Sequence, residues 1–90
     1  MSKYVSRTSR FKRDVKRLQK RGKNMATLKS VLRMLVEGIP LPVSFRDHLL
    51  TGQYKGTREC HIEPDWLLIY ESTQDEIVLI RTGTHADLFR

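Results

Sequence analysis

The chain has a single cysteine, Cys60, in 90 residues. An internal disulfide is excluded, and the cytoplasm is the expected compartment. No apolar run approaches the roughly 20 residues of a membrane-spanning helix, so no membrane partner is expected. Met1-Ser2-Lys3-Tyr4 lacks the apolar core of a secretion signal. The C-x-x-C and H-x-x-x-H spacings of zinc sites are missing, and adjacent Cys60 and His61 point to opposite faces of a strand. Together with His48 and His85 they make a poor metal set, and neither metal nor cofactor is expected. Internal repeats and low-complexity segments are lacking too. Acidic residues are scarce in one half only. Residues 1–46 hold 13 Lys/Arg and 2 Asp/Glu (13 − 2 = +11), whereas residues 47–90 hold 4 and 8 (4 − 8 = −4), which sum to +7. A basic half of that strength points to a polyanionic partner, most often nucleic acid.

Ninety residues suit one domain over 1–90 with a modest core. Tyr4 to Thr8 reads as a first strand, followed by Ser9 as a helix N-cap. Phe11, Val15 and Leu18 recur on one helical face, and Gly22 suits the position that ends the helix. Asn24 caps a second helix with an apolar stripe of Leu28, Val31, Leu32 and Leu35, stopped by Gly38 and Pro40. So short a connection predicts an antiparallel helix pair. Residues 39–57 read as an irregular loop, a length that marks a functional or mobile segment in a small domain. Strands are expected over 58–63, 66–70 and 77–80, the middle one central because it is apolar on both faces. The expected fold is α+β in the order β-α-α-β-β-β, with a helical hairpin on a small, largely antiparallel sheet.

The stretch Arg58-Glu59-Cys60-His61-Ile62-Glu63-Pro64-Asp65-Trp66 concentrates the chemistry. Alternation puts Cys60 and Ile62 on a core face and Glu59, His61 and Glu63 on the other, with Asp65 at the turn that Pro64 opens. RNA carries its own nucleophile, the 2′-hydroxyl, so its cleavage needs a base, an acid and cations for the extra phosphorane charge, without metal. Imidazole serves the proton roles because its ordinary pKa is about 6.5. A carboxylate serves as base or holds an imidazole charged, and an arginine clamps phosphate. His48, His61, Asp65, Arg81 and His85 supply every part. The face of the first helix carrying Lys12, Arg13, Lys16, Arg17 and Lys20, interrupted only by Asp14, suits phosphate tracking, and Lys55 adds a loop cation. Trp66 and Tyr70 are expected in the core, with Tyr54 and Phe45 better placed to stack on bases.

Asp47-His48-x-Leu50-x-Gly52, then Lys55-Gly56-x-Arg58 through Tyr70, then Arg81-Thr82-Gly83-Thr84-His85-Ala86-x-Leu88-Phe89 resemble YafQ-type toxins of the RelE/ParE superfamily. The resemblance spans nearly the whole chain and is densest from Asp47 to Phe89. It implies a RelE-like fold and a type II toxin–antitoxin toxin that cuts mRNA on the ribosome, without metal, leaving a 2′,3′-cyclic phosphate. It implies an antitoxin partner, a ribbon-helix-helix dimer in related systems, and a toxin that is monomeric when free. His48, His61, Asp65 and His85 match the family's catalytic residues, Arg81 its phosphate-contacting arginine and Phe89 a C-terminal aromatic near the site. Glu59 departs from the pattern, which has aspartate there, and is carried as a possible site residue. Of the alternatives, a ParE-like toxin that poisons gyrase without catalysis lacks this histidine and aspartate set. A plain RNA-binding module would leave the histidines structural.

Overall fold

Both faces of the central apolar strand need covering, and the fold covers them unequally. In the computed structural model, which describes residues 3–89, the chain runs β1 (Tyr4–Arg7), α1 (Ser9–Lys20), α2 (Met25–Glu37), β2 (His48–Leu49), β3 (Arg58–Glu63), β4 (Trp66–Ser72), β5 (Glu76–Gly83) and α3 (His85–Phe89). The sheet order is β1-β5-β4-β3-β2. β1 pairs parallel with β5, and the other neighbours pair antiparallel. Trp66, Leu68 and Tyr70 of β4 join Phe11 and Leu18 of α1 and Leu28, Val31 and Leu35 of α2 in the main core. Leu67 and Ile69 point the other way into a smaller cluster with Leu88, edged by Leu50, Tyr54 and Ile80. The α+β reading and the helical hairpin hold. Added to them are β2 and two 3₁₀ turns (Val43–Phe45 and Gly52–Tyr54) inside the expected loop, and a short C-terminal helix.

The first helix is capped one residue earlier than expected. Thr8, not Ser9, is the N-cap: its backbone is still extended, as a cap requires, and its Oγ1 accepts from the Phe11 N–H at 3.0 Å. The same hydroxyl donates to the Ile80 carbonyl at 2.7 Å, so one side chain starts α1 and ties it to β5. Asn24 caps α2 as expected, accepting from the Ala26 N–H. Gly22 takes φ +83° in the turn between the helices, a conformation open to glycine at little cost.

A second correction concerns β3. Cys60 pairs with Leu68 and His61 with Leu67, but Glu63 pairs with Trp66, so the register shifts after His61. This bulge takes Glu63 off the face it was expected to share with Glu59 and His61. Its carboxylate instead meets Lys23 Nζ at 2.9 Å, and Lys23 also sits over the Trp66 ring. Trp66 and Tyr70 are core residues. Cys60 is fully buried, and burial pushes its thiol up to about 12, which leaves it inert as a nucleophile. Among the described residues no helix is long and apolar enough to cross a membrane.

Candidate active site

The register of three strands and one turn assembles the site. His48 on β2 lies directly opposite Glu59 on β3, and His61 follows two residues on, so the pleat places all three on one face. His48 Nε2 is 3.5 Å and His61 Nε2 3.7 Å from the same oxygen, Glu59 Oε1. These are contacts between charged or polar groups rather than short hydrogen bonds. Glu59 is 6% exposed, so its carboxylate sits under the two imidazoles as a shared acceptor. The other His48 ring nitrogen, Nδ1, faces the Arg46 carbonyl.

His85 arrives from the far side. His61 pairs with Leu67, and Leu67 with Gly83, so the end of β5 lies two strands from His61 and the next residues turn back across the gap. The His61 and His85 ring centroids are 5.9 Å apart at 61°. Asp65, in the β3–β4 turn, holds His85 twice through Oδ1, accepting from the backbone N–H at 3.0 Å and lying 2.7 Å from Nδ1. Those two hydrogen bonds, the backbone one first, lower the Asp65 carboxyl below its ordinary range.

The helix carrying His85 is short, and its anchors are correspondingly many. Thr84 and Asp87 form a reciprocal capping box, each side chain accepting from the other's backbone N–H at 3.0–3.1 Å. Arg21, at the end of α1, clamps Asp87 with two hydrogen bonds of 2.8 and 3.0 Å. These contacts, the Arg21 bonds foremost, hold the Asp87 carboxyl well below the usual range. Leu88 inserts into the smaller core, and Phe89 packs edge-on against Tyr54 and tilted against His85. Gly83 admits this packing: a Cβ there would lie 2.9 Å from Asp87 Oδ2.

Arg81 is placed differently from the other candidates. It is 8% exposed and turned to Asp14 on α1, donating from Nε at 2.8 Å and from Nη2 at 3.1 Å. β1 covers β5 only over residues 76–79, and beyond that point Asp14 takes the Thr82 N–H at 3.1 Å. Asp14 is therefore no interruption of a solvent face, as its cationic neighbours suggested, but a buried residue at 2% exposure. The Asp14 hydrogen bonds raise the Arg81 pKa, against an opposing desolvation, and Tyr54 contributes in the same direction. Tyr54 in turn packs edge-on against Phe89, and Phe89 against His85.

The structure thus joins His48, Glu59, His61, Asp65, His85 and Phe89 in one continuous cluster, whereas Arg81 is buried against Asp14. Lys12, Arg13, Lys16, Lys20 and Lys55 are exposed. Arg17 is partly engaged, 3.5 Å from Asp14 and 3.9 Å from Asp87. Arg21 links the end of α1 to the helix carrying His85 through its clamp on Asp87. Sequence reasoning took Asp14 for a break in a solvent face and gave no role to Arg21, Asp87 or Arg46. Asp47, quoted only as part of a motif, is structural: it accepts from Arg58 Nε at 2.9 Å and Tyr70 Oη at 2.6 Å, which fixes the start of β2.

A family model described as "Bacterial toxin of type II toxin-antitoxin system, YafQ" matches residues 3–90. The chain is 44% identical over 86 residues to the mRNA interferase toxin YafQ of Escherichia coli K12, covering 94% of each. It superposes on a chain of the E. coli DinJ–YafQ toxin–antitoxin complex with a TM-score of 0.92 at 42% identity over 100% of both chains. A metal-bound toxin from Helicobacter pylori is similar at 35% identity and a TM-score of 0.89, over 99% of this chain and 100% of that one.

Proposed function

This chain belongs to the YafQ family of bacterial type II toxin–antitoxin toxins, and from that premise we propose that it is an endoribonuclease that cuts mRNA on the ribosome. The observation that carries the reading is the convergence of His48, Glu59, His61, Asp65 and His85, from β2, β3, a turn and α3, into one unbroken set of contacts.

Cleavage proceeds by attack of the 2′-oxygen on the adjacent phosphorus. His61, over the Glu59 carboxylate, takes the 2′ proton. The P–O5′ bond breaks as His85 delivers a proton to the departing 5′ oxygen, leaving a 2′,3′-cyclic phosphate and a 5′-hydroxyl. Asp65 orients His85 by holding Nδ1, which leaves Nε2 as the working nitrogen, and its lowered pKa keeps it an acceptor. His48 and Arg81 stabilise the charge that develops on the phosphorane oxygens, Arg81 through its field and its remaining donors. Phe89 and Tyr54 wall one side of the site beside His85. The side chains present supply both proton transfers, so the scheme has no metal step. A cognate antitoxin, a ribbon-helix-helix dimer, neutralises the toxin, which is a monomer when free.

The experiment is primer extension across a message in a reconstituted translation system. Cleavage should appear with the purified protein, require active translation and persist with protein that elemental analysis finds free of stoichiometric zinc or copper. Gyrase inhibition with intact messages would replace this reading by the non-catalytic one. The basic face of α1 gives a separate prediction. Replacing Lys12, Lys16 and Lys20 with Glu should weaken ribosome association and flatten its salt dependence, by roughly 2 in the slope of log K against log salt for three lost phosphate contacts. An unchanged slope would leave that face merely solvated.

A further inference from the structure

An open groove of about 440 Å³ borders the His61 and His85 imidazoles and runs on to Phe45, Arg46, Glu63 and Pro64. The proton-transfer scheme uses none of the last four. We propose that this groove is the subsite for one nucleotide next to the scissile phosphodiester, with Arg46 binding its phosphate and Phe45 packing on its base. The inference rests on the nuclease reading.

Size, charge and backbone all favour it. The volume lies at the small end of ligand pockets, about 300–1,000 Å³, and suits one nucleotide rather than a longer segment. Arg46 is the arginine in the lining, it is exposed, and it lies two residues before His48. The carboxylate in the lining, Glu63, is offset by Lys23 at 2.9 Å and so repels a phosphate less. Phe45 is half-buried: it packs on the main core and also lines the groove, which makes it a fixed platform. A base stacked on such a ring is held with little regard to its identity.

The backbone adds an independent pointer. Arg46 is the one non-glycine residue with positive φ among those described, at +51°. An L side chain enters that region rarely, and residues held there cluster at binding sites. The 3₁₀ turn enforces it through the Arg46 N–H bonded to the Val43 carbonyl at 3.0 Å, while the Arg46 carbonyl faces His48 Nδ1. One residue therefore sets the orientation of a candidate catalytic histidine with its backbone and presents a cation to the groove with its side chain.

That division allows a clean test. Arg46→Gly deletes the cation, keeps the carbonyl against His48 and suits the left-handed backbone. In translation-coupled cleavage its KM should rise roughly tenfold, the loss of one charge-assisted contact, with kcat, pH profile and unfolding midpoint held or the midpoint raised. Arg46→Lys should recover most of the KM. By NMR, a trinucleotide blocked by 2′-O-methylation should shift the Phe45, Arg46 and His85 amides of the wild type and leave Arg46→Gly nearly unmoved. If the wild type cleaves and Arg46→Gly matches it in KM and in these shifts, the subsite is overturned and the nuclease reading stands. If the wild type binds the trinucleotide with this pattern but never cleaves a message, the nuclease reading falls, and the groove is a nucleotide-binding site with no scissile bond beside it.

Discussion

Replacing His85 with alanine is expected to cut the rate of translation-coupled mRNA cleavage by roughly 10² to 10⁴, the range a positioned general acid supplies, while leaving the thermal unfolding curve in place. The fold is spared because the His85 side chain is 55% exposed and does little packing. The residue's backbone N–H still donates to Asp65, and α3 keeps its Thr84–Asp87 capping box and its Arg21 clamp. What disappears is the imidazole whose Nδ1 lies 2.7 Å from Asp65. Asp65 does not inherit the role. The two hydrogen bonds from His85 lower its pKa in the intact protein, so it is ionised above the ordinary carboxylate range and gains its proton only as the pH falls below it. In the variant the backbone bond survives, and at neutral pH the carboxylate still has no proton to give. Single-turnover cleavage followed by primer extension, with circular dichroism to certify the fold, measures both halves of the expectation. A folded variant that cleaves at the wild-type rate would remove His85 from the chemistry.

Much of this site was legible in the sequence because it lies on strands. Alternation alone put Glu59 and His61 on one face, and the apolar run from Trp66 to Tyr70 identified the central strand that His61 and Gly83 flank. Alternation then misplaced Glu63, because a bulge shifts the register after His61 and nothing in the residue types announces it. The loop hid β2, since two residues are too few to show a period, and it hid the left-handed backbone at Arg46. Asp14 is the instructive miss. It lies three residues after Phe11 and four before Leu18, both core residues, so helical spacing already put it on the buried face. The run of lysines and arginines around it suggested solvent, and the cation it pairs with is 67 residues away. Long-range ion pairs leave no local signature, and the Arg21–Asp87 clamp escaped for the same reason.

The buried pair also carries a large expected stability effect. Asp14→Ala removes both hydrogen bonds to the Arg81 guanidinium and the one acceptor the structure shows for the Thr82 N–H on the edge of β5. The side chains are 2% and 10% exposed, so water cannot readily replace the lost partner. Breaking a buried ion pair from one side typically costs about 3–5 kcal/mol, against a total of roughly 5–10 kcal/mol for a domain of this size. Asp14→Ala should therefore unfold at a much lower urea midpoint with little change in slope. Replacing both partners with apolar residues of similar length, Asp14→Leu with Arg81→Met, should restore part of the midpoint, because no uncompensated charge remains while the Thr82 N–H still lacks its acceptor. That double variant separates the two duties of Arg81. If the guanidinium only braces α1 against β5, cleavage returns along with stability. If it also supports the phosphorane charge, as proposed, the protein folds normally and still cleaves messages poorly. Recovery of wild-type cleavage in the refolded double variant would reduce Arg81 to a structural residue.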